Sequence, residues 1–172
     1  MKTGMIRRID ELGRIVIPKE IRRNLKLNMG DIVEIYVEDN KVMLKRFSTL
    51  LGMEEDLFNI AKVVNELTNC SIIFVEQDNV IVSYGKHSQI YLDKTINKQL
   101  YNKVVEGKFN KLKSVYLISE YMEERTVLIA PLYVKNTIQG LFIIIENDKI
   151  IGNNELEVIN QFKKFILKQL DS

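Results

Sequence analysis

Residues 5–26 set seven Lys or Arg against three Asp or Glu, a net of +4, and space apolar residues between the cations at regular intervals. A basic run with an apolar rhythm folds rather than trailing as a tail. Its charges therefore share a surface that faces something anionic. Around Asp10-Glu11-Leu12-Gly13 the pattern predicts two short strands, 5–9 and 14–17, with Gly13 supplying the backbone freedom of the turn. Pro18 closes the second strand and suits the first turn of a helix over 19–25, in which Ile21 and Leu25 share a face. A turn at 29–31 leads to strands 32–37 and 41–46, joined tightly at Asp39-Asn40.

A unit of about 47 residues buries too little surface to be stable by itself without disulfides, metal or a partner. No Cys or His precedes Cys70, which removes the first two. The expectation is a dimer with interleaved strands. Such a dimer repeats the cationic patch across a two-fold axis and suits a pseudo-palindromic duplex. A surface arginine is most often only solvated, and some of these can pair with Asp10, Glu11 or Glu20. Five arginines within 17 residues nevertheless favour phosphate binding, because the planar guanidinium fork fits phosphates and guanine edges.

The run Thr-Gly-Met-Ile-Arg-Arg-Ile-Asp-Glu-Leu-Gly-Arg-Ile-Val-Ile-Pro-Lys-Glu-Ile-Arg-Arg, followed by Gly-Asp and Glu-Ile-Tyr-Val, resembles the AbrB-type swapped-hairpin DNA-binding domain of bacterial transition-state regulators. The likeness covers residues 1–47 almost without gaps. It implies that Arg7, Arg8, Arg14, Arg22 and Arg23 form the DNA-contacting surface of a β-barrel dimer, with Lys19 beside them.

After Phe47 the texture changes. Residues 1–48 carry a net of +4 and residues 49–172 a net of −2. A short joint, 48–52, leads to a helix over 53–68 whose apolar residues recur at three and four. Strands follow at 71–76 and 80–84, then a polar loop over 85–94. A helix capped by Thr95 runs to 106, strands cover 114–119, 125–134 and 138–146, and a turn fills 135–137. A last helix, capped by Asn153 or Asn154, ends at 170. This order predicts a largely antiparallel sheet faced by helices and resembles a GAF domain. The whole is expected to be α+β, with domains at 1–50 (AbrB-type) and 53–172 (GAF-like, sensing or oligomerisation). The two likenesses together, at this length, resemble the transcription regulators of spore-forming bacteria.

Catalysis is not expected. One Cys and one His cannot build a Cys/His zinc site, and the eight glycines are scattered rather than gathered in a phosphate-cradling motif. No cofactor is expected. No apolar run approaches the ~20 residues of a membrane span, and the start lacks a signal-peptide core, so a cytoplasmic protein is expected. For the second half two readings stand. Tyr84, His87, Tyr91 and Tyr116 line a pocket for a small molecule, or they pack a closed core and the domain only dimerises. Two different two-fold interfaces in one chain would give a tetramer, a dimer of dimers. The partner expected is double-stranded DNA. The alternative is an antitoxin-like protein-interaction module, since related swapped-hairpin domains hold toxins. Some 120 patterned residues stand here where such proteins carry a disordered tail.

Overall fold

The computed structural model describes residues 4–25, 27, 29, 32–48, 50–107, 111–118, 124–134, 137–148 and 150–170. Parts of the turns expected at 29–31 and 135–137, and Lys26, lie outside them. The chain forms two compact units, Met1–Phe47 and Ser48–Ser172.

The first unit contains one short helix, α1 (Lys19–Asn24), and one hairpin, β1 (Val33–Glu38) and β2 (Lys41–Arg46). Glu38 pairs with Lys41 across a two-residue turn, and Asp39 and Asn40 both have positive φ (49° and 59°). A turn of that hand matches the twist of the flanking strands, and Asp and Asn tolerate the left-handed region best among non-glycine residues. Segments 5–9 and 14–17, expected as strands, belong to no ladder among the described residues. Their apolar side chains are uncovered as well: Ile6 is 93% exposed and Val16 79%. A strand exists only against a partner, and among the described residues of one chain these segments have none.

The second unit is a five-stranded antiparallel sheet in the order β4-β3-β7-β6-β5. Its strands are β3 (Ser71–Glu76), β4 (Asn79–Tyr84), β5 (Lys111–Tyr116), β6 (Glu124–Val134) and β7 (Thr137–Ile145). Side chains of β3 alternate between two buried layers, which explains its unbroken apolar run. Ile72 and Phe74 join α2 (Glu54–Thr68) and α5 (Asn153–Leu170) in one core, together with Leu128, Phe142 and Ile144. Phe74 and Phe142 are register partners with stacked rings 4.8 Å apart. Ile73 and Val75 point into the other core, where α3 (Ser88–Tyr91) and α4 (Lys98–Val105) contribute Tyr91, Leu100 and Val104. Gly140, in β7, lies where Leu50 of the joint and the Val75 carbonyl of β3 close in, and a β-carbon there would overlap both.

Several boundaries differ from expectation. Asn153 and Asn154 both lie inside α5, which begins at Asn153, so neither stands ahead of it as a cap. Thr95 does not cap α4: its hydroxyl bonds Asn79, and Asn97 is the cap, accepting from the N–H groups of Gln99 (2.9 Å) and Leu100 (3.4 Å). The polar stretch 85–94 holds the single-turn α3. Strand β5 begins at Lys111, three residues early, and is irregular between Leu112 and Val115, where Ser114 has φ +52°. It is an edge strand, and lysines and a bulge on an edge hide the strand signal while protecting the edge from further pairing.

Candidate nucleic-acid interface

In the first unit the cationic surface is built on a turn and a helix. The carboxylate of Asp10 accepts the backbone N–H groups of Leu12 (3.0 Å) and Arg14 (2.7 Å) and pairs with Arg14 Nε at 2.9 Å. The Asp10 N–H donates to the Arg14 carbonyl and the Gly13 N–H to the Asp10 carbonyl, both at 3.0 Å. Gly13 has φ +75°, the region glycine occupies without strain. One aspartate thus closes the turn and fixes a guanidinium. The backbone N–H of Arg14 is the main cause that holds the Asp10 carboxyl below its ordinary pKa of 3.8; desolvation opposes it, and the Arg14 side chain and the Leu12 N–H add to the lowering.

Pro18 is buried, and its carbonyl accepts the N–H of Arg22 at 2.9 Å, which seats the first turn of α1. Lys19, Arg22 and Arg23 stand at spacings of three and four, on one side of α1, while Ile21 is half-buried. Arg7, Arg8, Arg14, Lys19, Arg22 and Arg23 are all exposed. Among the described residues, Asp10 with Arg14 is the ion pair of this stretch.

The hairpin is neutral by comparison. Lys45 pairs with Glu34 across the ladder at 3.0 Å and lies 5.4 Å from the ring centre of Tyr36. The Glu34 hydrogen bond is the main cause that raises the Lys45 pKa. Positive potential is therefore concentrated on residues 7–23.

The four residues expected to line a pocket in the second unit are not brought together. Tyr84 is half-buried against the α2/α5 core, edge-on to Phe58 at 5.4 Å between ring centres. Tyr91 is buried in the core on the opposite face of the sheet. Tyr116 borders a small cleft of about 180 Å³ beside Asn97 and Leu100. His87 is exposed ahead of α3 with φ 62°. Tyr84 ends β4 and packs on the α2/α5 side, whereas Tyr91 belongs to α3, which packs on the other side of the sheet. Among the described residues no helix is long and apolar enough to cross a membrane, and no three His, Cys, Asp or Glu gather as a metal site requires.

Residues 6–46 match the family model described as antidote-toxin recognition MazE, bacterial antitoxin. Stage V sporulation protein T of Bacillus subtilis (strain 168) is 31% identical over 176 aligned positions that cover 98% of each chain. The transition state regulatory protein AbrB of the same organism is 53% identical over 45 residues, 26% of this chain and 47% of that one. The solution structure of its N-terminal DNA recognition domain is 50% identical, covering 28% of this chain and 91% of the other, with a TM-score of 0.26. The GAF-B domain of DevS from Mycobacterium smegmatis covers 68% of this chain and 93% of its own at 12% identity, with a TM-score of 0.48.

Proposed function

The chain belongs to the family of stage V sporulation protein T, and from that premise we propose that it is a sporulation-related transcription regulator whose N-terminal unit binds duplex DNA. The 53% identity to AbrB over the same residues supports this reading, and none of the relatives bears the name of an enzyme. Residues 1–50 are the DNA-binding domain and residues 53–172 a GAF-like domain for oligomerisation and sensing. Action on DNA implies a cytoplasmic site of work.

One observation carries the DNA reading: six exposed cations lie within 17 residues of a unit that leaves its own apolar residues uncovered. Ile6, Ile9 and Val16 of the first segments, Leu12 of the turn between them, and Val37 and Val42 of the hairpin are all largely exposed. Each would contribute about 1.5–3 kcal/mol if covered. A second copy covers them by supplying the strands that segments 5–9 and 14–17 lack. The patch is then doubled across a two-fold axis, as two half-sites on a duplex require. A separate contact through the second units makes the dimer of dimers.

Arg7, Arg8, Lys19, Arg22 and Arg23 supply phosphate contacts, and Arg14 is held in place by Asp10. The antitoxin match over 6–46 favours a second reading, in which the same surface holds a protein. The test is DNA binding by Arg14→Ala and Arg23→Ala with sedimentation in parallel. Each variant is expected to lose roughly 10²- to 10⁴-fold in affinity, since a hydrogen bond to a charged group is worth about 1.5–3 kcal/mol and occurs twice, while the oligomer persists. Full-strength binding by both variants refutes the patch.

A further inference from the structure

At one end of the five-stranded sheet of the second unit lies an open cleft of about 430 Å³. That volume is within the range of small-molecule sites. Its walls are polar. Asn65 and Asn69 come from the end of α2, Asn147 from the segment after β7, and Ser88 from α3. Tyr84 also borders it. Lys86 and Asp148 stand at the solvent side, joined by two contacts of 3.0 Å from the ammonium to both carboxylate oxygens.

The walls are held in place from behind. Asn65 Nδ2 donates to the Cys70 carbonyl at 2.6 Å, and Asn147 Nδ2 donates to the Asn69 carbonyl at 3.1 Å. The hydroxyl of Ser71, a buried residue, lies 2.6 Å from the Lys86 carbonyl and 2.9 Å from Asn147 Oδ1. Gly85 has φ +106°, and a β-carbon there would stand 2.9 Å from Asn65 Nδ2 and 3.0 Å from the Ser71 α-carbon. Glycine is thus required for the wall to close. Asn65, half-buried, and Asn69, exposed, thus line a cleft whose frame is already set.

We propose that this cleft binds a small zwitterion, a free α-amino acid with a polar side chain. The charge arrangement selects the class. A simple anion at Lys86 meets the like charge of Asp148 beside it, and a simple cation at Asp148 meets that of Lys86. A zwitterion meets an opposite charge at each end, its carboxylate on Lys86 and its ammonium on Asp148. The carboxamides behind the pair offer both donors and acceptors, which match an amide or hydroxyl side chain and penalise a branched aliphatic one by desolvation. Two of these walls follow α2 and β7, elements of the α2/α5 core, so an occupant would brace that core.

The site gives the sensing reading of residues 53–172 a location and a ligand class, and its regulatory meaning rests on that reading. The test is calorimetric titration of the full chain with L-asparagine, L-glutamine, L-leucine, acetate and methylammonium. It is repeated on Lys86→Ala, on Asp148→Ala, and on the reversed pair Lys86→Asp with Asp148→Lys. Both positions are exposed at the rim, so the fold is expected to tolerate all three changes. Binding of L-asparagine or L-glutamine at least tenfold tighter than L-leucine is expected, with a tenfold or greater loss in each single variant and partial recovery in the reversed pair. No heat from either polar amino acid, equal binding of L-leucine or acetate, or unchanged affinity in both single variants overturns the assignment. DNA affinity measured with and without the bound amino acid decides the sensing reading separately. An unchanged DNA affinity beside tight amino-acid binding removes the regulatory role and leaves the site standing.

Discussion

Replacing Gly140 by alanine adds one methyl group at the most crowded glycine of the second unit. That methyl would overlap the carbonyl of Val75, a backbone group in the neighbouring strand β3, and the side chain of Leu50, which is fully buried. Neither can move freely. Val75 is held in the ladders that join β3 to β4 and β7, and Leu50 packs in the α2/α5 core. Overpacking a filled core costs about 1–3 kcal/mol and occasionally more. With one obstruction in the backbone, the upper end applies, about 3 kcal/mol. For a unit of this size each kcal/mol lowers Tm by about 3–5 °C, so a fall of roughly 10–15 °C is expected. Thermal unfolding followed by near-ultraviolet circular dichroism reports on the right unit, because six of the seven tyrosines lie in residues 48–172. A second variant probes the cause. Leu50→Ala alone should cost about 2–5 kcal/mol through its cavity, but combined with Gly140→Ala it vacates part of the space the new methyl needs. The double variant should then be less destabilised than the sum of the two by about 1 kcal/mol or more. A fall in Tm under about 3 °C for Gly140→Ala, or strict additivity with Leu50→Ala, would refute this packing account of the joint.

Removing the α4 cap by Asn97→Ala should cost about 1 kcal/mol, read as a shift of the urea midpoint without a change in slope; no shift would mean the cap does not hold the helix start. The Asp10 carboxyl should titrate below 3.8 in a pH series of carbon-detected spectra, with the Leu12 and Arg14 amide signals moving at the same midpoint. Because its folded value is depressed, the contribution of Asp10 to stability is fully present above the ordinary carboxylate value and is lost as pH falls through the lowered one. A midpoint at or above 3.8 would contradict the clamp on the Arg14 turn.

Much of the architecture is legible where the chain states its own pairing. Asp39-Asn40 between alternating residues announces the β1–β2 hairpin, and the three-and-four spacing of Leu57, Ile60, Ala61 and Val64 announces the buried face of α2. Elsewhere the signal is ambiguous or distant. Thr95 and Asn97 are both good caps, and only the tertiary bond from Thr95 to Asn79 leaves the helix start to Asn97. Segments 5–9 and 14–17 have strand composition, but composition cannot say that the partner must be another chain. The cations of residues 7–23 are legible because they are contiguous, whereas the clamp from Asp10 to Arg14 shows only as a spacing of four. Tyr84 and Tyr91 are near in sequence, and only the packing of α3 on the far side of the sheet from α2 and α5 parts them. The cleft has no local signal at all: Asn65, Asn69, Lys86 and Asn147 meet through strand order, and glycine at position 85 is its one trace in the sequence.

The most direct measurement is binding of the full chain, and of residues 1–50 alone, to promoter and random duplex DNA across about 50 to 200 mM salt, with sedimentation in parallel. A dimeric patch making roughly 6–10 phosphate contacts should lose about 10³- to 10⁵-fold in affinity over that range. The shorter fragment should bind more weakly than the full oligomer at every salt concentration, because it lacks the coupling of paired heads. Affinity that does not change with salt, or no binding at low salt, would contradict the account and turn the search toward a protein held by the same surface.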